Sequence, residues 1–216
     1  MITARSTLIA VTALTIAACG DSRKETNSEA PAAKTVEPVA PEPKAPDPKP
    51  ASGQLKLSPE NTKVAFVGSK MIGSHEGAFL AFSGTVDYKS GDPLTAAINV
   101  GIDLASVKTD SEKLDGHLKS PDFFDVEKFP KATFVSTGVA AGGADGATHT
   151  VNGEFTLHGV QKAIAVPAKI EVSEKKVSVS SEFTINRKDY GIVYPGMPDN
   201  LIKDDVVIKL SVDGAL

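Results

Sequence analysis

Ala96-Ala97-Ile98-Asn99-Val100-Gly101-Ile102-Asp103 places an apolar residue at every even position and a small or polar residue at every odd one. Successive side chains of an extended chain point to opposite faces, so this alternation is typical of a strand with one buried and one solvated face. Strands of this kind are usual in antiparallel sheets. The stretch therefore predicts an all-β fold.

The same alternation recurs through most of the chain and predicts about eight strands. It is clear in residues 151–157, 164–172, 177–183 and 206–212, and less regular in residues 63–70, 78–88 and 131–139. Turn-forming residues separate these stretches, at positions 90–93, 142–146, 158–159 and 174–176. The order of strands and turns predicts an antiparallel arrangement.

One segment, residues 106–130, interrupts the strands. Asp110 or Ser111 is expected to cap a short helix there, with Leu114 and Leu118 on one side. Residues 117–130 follow, with three Phe and two Pro in a stretch that has neither helical nor strand periodicity. Exposing large apolar side chains to water in a surface loop is unfavourable unless they cover another apolar surface. We therefore expect a plug formed by Phe123, Phe124 and Phe129, stiffened by Pro121 and Pro130.

Eight one-sided strands can stack as a sandwich or close into a barrel, and closure removes exposed sheet edges. An eight-stranded barrel has room for packed side chains or for one small ligand. The chain has no Trp, and several inward positions hold small residues, which leaves space inside the barrel. These small residues are Gly84, Ala96, Gly153 and Ala168. The composition therefore favours an eight-stranded antiparallel barrel with a short helical insertion and an elongated apolar cavity.

The N-terminal quarter of the chain has a different character. Residues 1–18 combine Arg5 with a short apolar run and read as an export signal, too short for a permanent bilayer span. The run ends in Ile16-Ala17-Ala18-Cys19, which resembles a bacterial lipobox, so Cys19 is expected to be lipidated. An ordinary secretory signal with an incidental cysteine is the alternative.

Residues 19–53 hold seven Pro among Ala, Lys and Glu and have no aromatic residue, which predicts a disordered tether reaching ~100 Å. Residues 54–216 form the barrel domain. Either reading of Cys19 takes the mature protein out of the cytoplasm, and lipidation predicts a lipoprotein of the cell envelope that faces the periplasm. By resemblance to enterobacterial sorting rules, Gly20 after the cysteine favours the outer membrane over the inner one.

Charge and residue spacing argue against several classes of function. The chain has a net charge of -4, with 23 basic and 27 acidic residues interspersed, so a nucleic-acid partner is not expected. His75, His117, His149 and His158 lack metal-ligand spacing and no Cys joins them, so neither metal nor cofactor is expected. Ser106, Thr109 and Ser120 lack the surroundings of a nucleophile and are expected to cap the helix.

Four motifs, in order along residues 57–212, resemble the YceI-like domain of exported bacterial proteins. They are Gly77-Ala78-Phe79-Leu80-Ala81-Phe82-Ser83-Gly84, Asp103-Leu104-Ala105-Ser106-Val107-Lys108-Thr109-Asp110 with Asp115-Gly116-His117-Leu118-Lys119-Ser120-Pro121-Asp122-Phe123-Phe124, Thr156-Leu157-His158-Gly159-Val160, and Arg187-Lys188-Asp189-Tyr190-Gly191-Ile192. The resemblance implies a lipocalin-like barrel around a long isoprenoid or fatty-acid-like chain, without established catalytic residues. The chain departs from the family at its lipobox and tether, and at Lys203-Asp204-Asp205, where many members have a glycine-containing turn.

The barrel reading predicts which side chains line the cavity and contact a ligand. They are Phe66, Phe82, Ile98, Val100, Ile102, Phe123, Phe124, Phe134, Phe155, Leu157, Ile164, Val166, Val179, Phe183, Val206, Ile208 and Leu210.

Two polar residues are candidates for contacts to a ligand headgroup. His117 has the alternative of a helix-end histidine satisfied by a backbone carbonyl or by Asp115. Arg187 has the geometry for a phosphate, with an ion pair to Asp189 or Asp122 as its alternative.

The leading hypothesis is a membrane-tethered carrier or reservoir for a long apolar lipid of polyisoprenoid type. An enzyme or enzyme subunit acting on the bound chain is a second hypothesis, with His117 and Arg187 as its polar groups. A structural or stress protein of the envelope with a filled core is a third. The sequence leaves the lipid, its direction of transfer and the oligomeric state open.

Overall fold

The computed structural model describes residues 52–89 and 91–215. The expected signal peptide, Cys19 and nearly all of the expected tether lie outside these residues. The strands are β1 Ser52–Leu57, β2 Thr62–Lys70, β3 Ser74–Phe79, β4 Phe82–Lys89, β5 Asp92–Asp103, β6 Val107–Thr109, β7 Lys131–Ala141, β8 His149–Leu157, β9 Val160–Val172, β10 Lys176–Asn186, β11 Gly196–Met197 and β12 Asn200–Ala215. Helix α1 spans Glu112–Lys119, and 3-10 turns span Leu104–Ser106 and Arg187–Tyr190.

All strand pairs are antiparallel, which confirms the predicted all-β barrel with a short helical insertion. The sheet runs in the order β1-β4-β5-β7-β8-β9-β10-β12-β2-β3-β6, with β11 beside β12. The described part of the chain has twelve strands where the sequence predicted about eight. The additional strands β1, β3, β6 and β11 have two to six residues each, too few for a clear alternation. Strand β1 begins two residues before the expected start of the domain.

The barrel turns a corner between β3 and β4, which the sequence predicted as one strand over residues 78–88. That prediction was wrong, because the chain bends at Leu80 and Ala81 and changes its pairing partners. Strand β3 pairs with β2 and β6, whereas β4 pairs with β1 and β5. The Leu80 N–H donates to the Ser106 carbonyl at 3.3 Å, and the Asp103 N–H to the Ala81 carbonyl at 2.9 Å. Strands that switch sheets at a bend form such corners.

The opposite corner lies between β9 and β10. These strands pair only from Lys169 to Val172 against Val177 to Ser180, although both are longer than ten residues. They diverge beyond that point, so the sheet divides into two facing halves. The inward side chains of the two halves form the interior of the barrel.

The register defines two ends of the barrel. At the helix end lie α1 and the loop after it, together with the 3-10 turn Arg187–Tyr190 and the end of β2. At the N-terminal end, Ser52 pairs with Lys89 and Val172 pairs with Val177. Within residues 52–89 and 91–215, no helix has the length and apolar character needed to cross a membrane.

Candidate functional site

The two halves of the barrel enclose an apolar cavity of about 340 Å³. Alternating side chains of the strands project into it, because successive residues of a strand face opposite sides. All seventeen side chains predicted to line a cavity lie on its wall. Their contact with a ligand stays a prediction.

The predicted small residues have two different roles. Ala96 and Ala168 lie on the cavity wall. Gly153 instead makes room for a ring, since a Cβ there would lie 2.5 Å from Cζ of Phe134. A Cβ at Gly84 would lie 2.6 Å from the Asn99 carbonyl oxygen. Two of the four positions therefore allow close packing in the wall rather than open space within it.

Strand β1 contributes two cavity residues that sequence analysis missed. Leu55 and Leu57 are 8% and 7% exposed and lie on the wall. Leu55 also packs against Gly214 of β12, where a Cβ would lie 2.6 Å from the leucine Cδ1. The alternation in Gln54-Leu55-Lys56-Leu57 was a usable signal, but it is short and adjoins the Pro-rich segment.

Phe123 and Phe124 close the helix end of the cavity. Phe123 is 7% exposed, with its ring centroid 4.9 Å from that of His117 and 5.4 Å from that of Tyr194. The Phe124 ring lies 5.9 Å from that of Phe79. Both side chains, with Leu114 and Leu118 of α1, line the cavity. These two residues form the plug that the sequence predicted.

Phe129 does not belong to the plug, and its assignment there was wrong. Its ring lies 4.7 Å from that of His158 and covers Gly159, where a Cβ would lie 2.5 Å from the Phe129 Cε1. The loop folds back before this point, because the Phe129 N–H donates to the Asp125 carbonyl at 2.8 Å. Phe129 therefore packs on the β8–β9 turn.

Asp115 fastens α1 to β6. Its Oδ1 accepts from both the backbone N–H and the hydroxyl of Thr109 at 2.6 Å, and Oδ2 lies 2.8 Å from Nζ of Lys108. Hydrogen bonds from Lys108 and Thr109 lower the pKa of Asp115 to about 2. Ser111 occupies the N-cap position without a side-chain hydrogen bond. Sequence analysis missed this role of Asp115.

His117 lies behind the plug, away from the cavity wall. Its Nε2 is 3.0 Å from Oδ2 of Asp122, and its ring packs edge-on against Phe123 and Tyr194. The partner is Asp122 rather than the Asp115 that we considered, because Asp115 is held by Thr109. The geometry fits a positioning role for the plug better than a headgroup contact.

Arg187 lies at the helix end of the cavity with its side chain 5% exposed. Its guanidinium donates to the carbonyls of Ile192 at 2.7 Å, Lys203 at 3.1 Å and Ile202 at 3.3 Å. Nη2 also lies 3.2 Å from Oδ1 of Asp204, in place of the expected Asp189 or Asp122. Burial lowers the pKa of Arg187, and Asp204 opposes this shift.

These bonds give Arg187 a structural role in the last strand. The register of β12 on β2 shifts between Ile202 and Val206, and the intervening residues bulge. This bulge coincides with Lys203-Asp204-Asp205, the point of departure from the family pattern. Arg187 satisfies backbone carbonyls that the bulge removes from the ladder.

The hydroxyl residues are bonded within the fold. Ser106 Oγ donates to the Asp103 carbonyl at 2.6 Å, Thr109 Oγ1 to Asp115, and Ser120 Oγ to the His117 carbonyl at 2.7 Å. Only Ser120 lies at a helix end, as the C-cap of α1. In the described residues, no group of three or more His, Cys, Asp or Glu is placed to hold a metal.

Polar side chains on the wall lie mainly toward its two ends. At the helix end, Ser69, Lys70 and His75 border the cavity, and Nδ1 of His75 lies 2.9 Å from Oδ1 of Asp110. At the N-terminal end, Tyr88 and Asp92 do so. The length between is apolar apart from Ser181, whose hydroxyl donates to the Pro167 carbonyl. The site can therefore hold an apolar chain with polar groups only near its ends.

Known proteins share this architecture. A UPF0312 protein of Pseudomonas syringae pv. tomato is 33% identical over 153 residues, which cover 68% of this chain and 77% of the relative. The crystal structure of Burkholderia cenocepacia BcnA has a TM-score of 0.63 and 25% identity, covering 73% of this chain and 98% of that one. A polyisoprenoid binding domain from Saccharophagus degradans, implicated in plant cell wall breakdown, shares the fold at a TM-score of 0.59 and 16% identity, covering 75% and 97%. The family model of the YceI-like domain matches residues 55–213, and the chain belongs to this family.

Proposed function

We propose that this protein binds a long-chain apolar lipid of polyisoprenoid type in its barrel, as a membrane-tethered carrier or reservoir in the cell envelope. The observation that carries the proposal is the cavity, lined by apolar side chains from Phe124 at the helix end to Val172 at the N-terminal end. A ligand that matches such a wall has a long hydrocarbon chain.

Burial of the chain is the main source of affinity. Removing apolar surface from water contributes ~25 cal/mol per Å², so a few hundred Å² of buried chain contributes ~5–10 kcal/mol before the cost of binding is subtracted. A chain held in this way needs no hydrogen bond along its length. The mainly apolar wall between the two ends fits that mode of binding.

The related fold from Saccharophagus degradans supports the ligand class, because that protein is described as a polyisoprenoid binding domain. At 16% identity the likeness concerns the fold, so the ligand of this chain rests on its own wall residues. Seven of these are aromatic rings predicted from sequence, which suit the planar double bonds of an isoprenoid as well as saturated chains.

Tethering is the second part of the proposal. Cys19 follows the lipobox-like Ile16-Ala17-Ala18, and residues 19–53 provide a reach of ~100 Å in extended form. We expect an anchor in the outer membrane, with the barrel in the periplasm. Replacing Cys19 with Ser should move the protein from the membrane fraction to the soluble fraction, and unchanged fractionation would refute lipid anchoring.

The test of lipid binding starts with the full chain purified from its native envelope. Organic-solvent extraction followed by mass spectrometry should yield one class of prenyl lipid in near-stoichiometric amount. A protein that is free of lipid and takes up no prenyl lipid on incubation would refute the proposal.

A pair of variants on one strand provides the control. Ala168 lies on the cavity wall of β9, whereas Ala165 of the same strand is exposed on its outer face. Ala168→Phe should abolish lipid retention, because the ring occupies the cavity, and Ala165→Phe should not. Since overpacking costs ~1–3 kcal/mol, circular dichroism must show that both variants are folded.

The geometry of the site gives less support to the two alternative functions, a structural protein and an enzyme. The hypothesis of a structural protein with a filled core predicts no cavity, whereas the barrel encloses one of about 340 Å³. The enzyme hypothesis relied on His117 and Arg187. Nε2 of His117 is paired with Asp122, and the guanidinium of Arg187 is bonded to Asp204 and to backbone carbonyls. His117 does not line the cavity, and the guanidinium of Arg187 is bonded within the fold, so neither side chain is placed to act on a bound chain.

A further inference from the structure

Two hairpins at the helix end hold apolar side chains in solvent. Met71 and Ile72, between β2 and β3, are 68% and 77% exposed. Met197 and Leu201, in the β11–β12 hairpin, are 65% and 44% exposed. We call these four side chains the tip surface. Clustered exposed apolar side chains mark contact sites on soluble proteins.

One backbone hydrogen bond and one backbone-to-side-chain hydrogen bond join the two hairpins and hold these side chains in their exposed positions. The Met71 N–H donates to the Leu201 carbonyl at 2.9 Å, and the Ile72 N–H to Oδ1 of Asn200 at 3.1 Å. Within the first hairpin, the Lys70 N–H donates to the Gly73 carbonyl at 2.9 Å. The four side chains are thus presented by paired strands and do not fold back onto the barrel.

The tip surface adjoins the cavity. Lys70 immediately precedes Met71, pairs with Ile202 across β2 and β12, and lines the cavity wall, as Ile202 does. A path from the tip surface to the interior therefore runs along neighbouring residues. A lipid entering at this end would pass the exposed apolar side chains first.

Charge and size indicate what covers the tip surface. Charged side chains are few here: residues 190–202 carry one, the exposed Asp199, and residues 69–74 carry one, Lys70. Four side chains at two hairpin tips offer a few hundred Å² at most, below the ~800 Å² per partner of a stable protein interface. A projecting apolar surface of this size, with Lys70 and Asp199 beside it, suits the interface of a bilayer better than a second copy.

Residues 21–53 are also poor candidates for covering it, because they hold seven Pro among Ala, Lys and Glu and have no aromatic residue to pack on an apolar surface. We infer that the tip surface docks into a lipid bilayer and places the helix end of the cavity against the membrane for exchange of the bound chain. The purpose of docking rests on the proposed lipid-binding function.

Fluorescence quenching in the full chain tests this docking. Cys19 is the only cysteine, so Cys19→Ser followed by Ile72→Cys gives a single thiol for an environment-sensitive fluorophore. Leu94→Cys provides the matched control, because Leu94 is an exposed apolar residue of β5, near the N-terminal end. The probe is a phosphatidylethanolamine–phosphatidylglycerol vesicle with brominated acyl chains.

We expect about a twofold loss of fluorescence at position 72 and none at position 94, because docked side chains reach ~5–10 Å into the acyl boundary. The readout is local, so vesicle binding by residues 1–18 does not reproduce this difference. Equal quenching at both positions, or none at either, would overturn the inference. A buried fluorophore at position 72 without vesicles would also overturn it, and would indicate a second copy or the N-terminal residues.

This experiment separates docking from lipid binding. Quenching at position 72 in a protein that retains no prenyl lipid would leave docking intact and refute the carrier function. Lipid retention without quenching would do the reverse.

Discussion

Phe123→Ala tests whether the aromatic loop is an integral part of the fold that closes the barrel. Phe123 is 7% exposed and packs between the rings of His117 and Tyr194 at centroid distances of 4.9 and 5.4 Å. Phe→Ala in a packed core costs ~3–5 kcal/mol. One side of this ring faces the cavity rather than packed atoms, so we expect about 3 kcal/mol, at the lower limit of that range.

Urea unfolding of the delipidated protein measures this loss. With a slope of ~2 kcal/mol/M, a loss of about 3 kcal/mol moves the midpoint down by about 1.5 M. Lipid must be removed first, because a ligand that binds only the folded state adds apparent stability.

Phe129→Ala is the matched control, since Phe129 lies in the same loop but packs on Gly159 and His158 outside the cavity. It is half-buried, and we expect a loss of about 1 kcal/mol. A loss below about 1 kcal/mol for Phe123→Ala, or an equal loss in both variants, would refute the assignment of Phe123 as the plug.

Variants at three further positions test the residues that support the site. Arg187→Ala should cost about 3 kcal/mol or more in urea unfolding, because it leaves three backbone carbonyls without their donor and leaves Asp204 with Lys188 as its remaining cation. Arg187→Lys should restore little, since one ammonium cannot replace a guanidinium fork, and full rescue would contradict this role. The pKa of Asp115 falls from 3.8 to about 2 on folding, so its stabilisation is present above pH 4 and is lost as the pH falls toward 2. Asp115→Asn should therefore flatten the dependence of the melting temperature on pH between 4 and 2. An unchanged dependence would contradict the role of Asp115 in holding α1 to β6. Gly153→Val should lower the melting temperature by displacing the Phe134 ring, and a neutral effect would show that the wall yields there.

Alternation of apolar residues was enough to predict most of the longer strands and their inward faces. In β5, Ile98, Val100 and Ile102 face the cavity as their positions indicated. The period of two depends only on the extended backbone, so it can be read locally. It does not say which strands pair, and it gave no sign of the bend at Leu80 and Ala81, where neither Gly nor Pro interrupts the sequence.

Partners of the polar residues were harder to predict, because they depend on tertiary contacts. Arg187 pairs with Asp204, which a bulge in β12 brings to it, although Asp189 is closer in sequence. Asp115 was a plausible partner of His117, but the Thr109 hydroxyl and N–H hold its carboxylate. Competition among several donors and acceptors decides such pairings.

The tip surface illustrates a further limit. Met71, Ile72 and Met197 look like ordinary apolar residues in sequence, and only the hairpin geometry shows that they are exposed. Leu55 and Leu57 present the reverse case, because they follow a Pro-rich segment yet lie in the cavity wall. The sequence predicted an apolar cavity, whereas the tertiary structure was needed to locate the two ends of that cavity.

A crystal structure of the protein with the lipid extracted from its own envelope tests the central claim most directly. We predict continuous density for one hydrocarbon chain along the cavity, in contact with Phe134 and Phe183 and ending near Phe124. Density for the lipid on the outer surface, with the cavity collapsed or filled by side chains, would contradict the account.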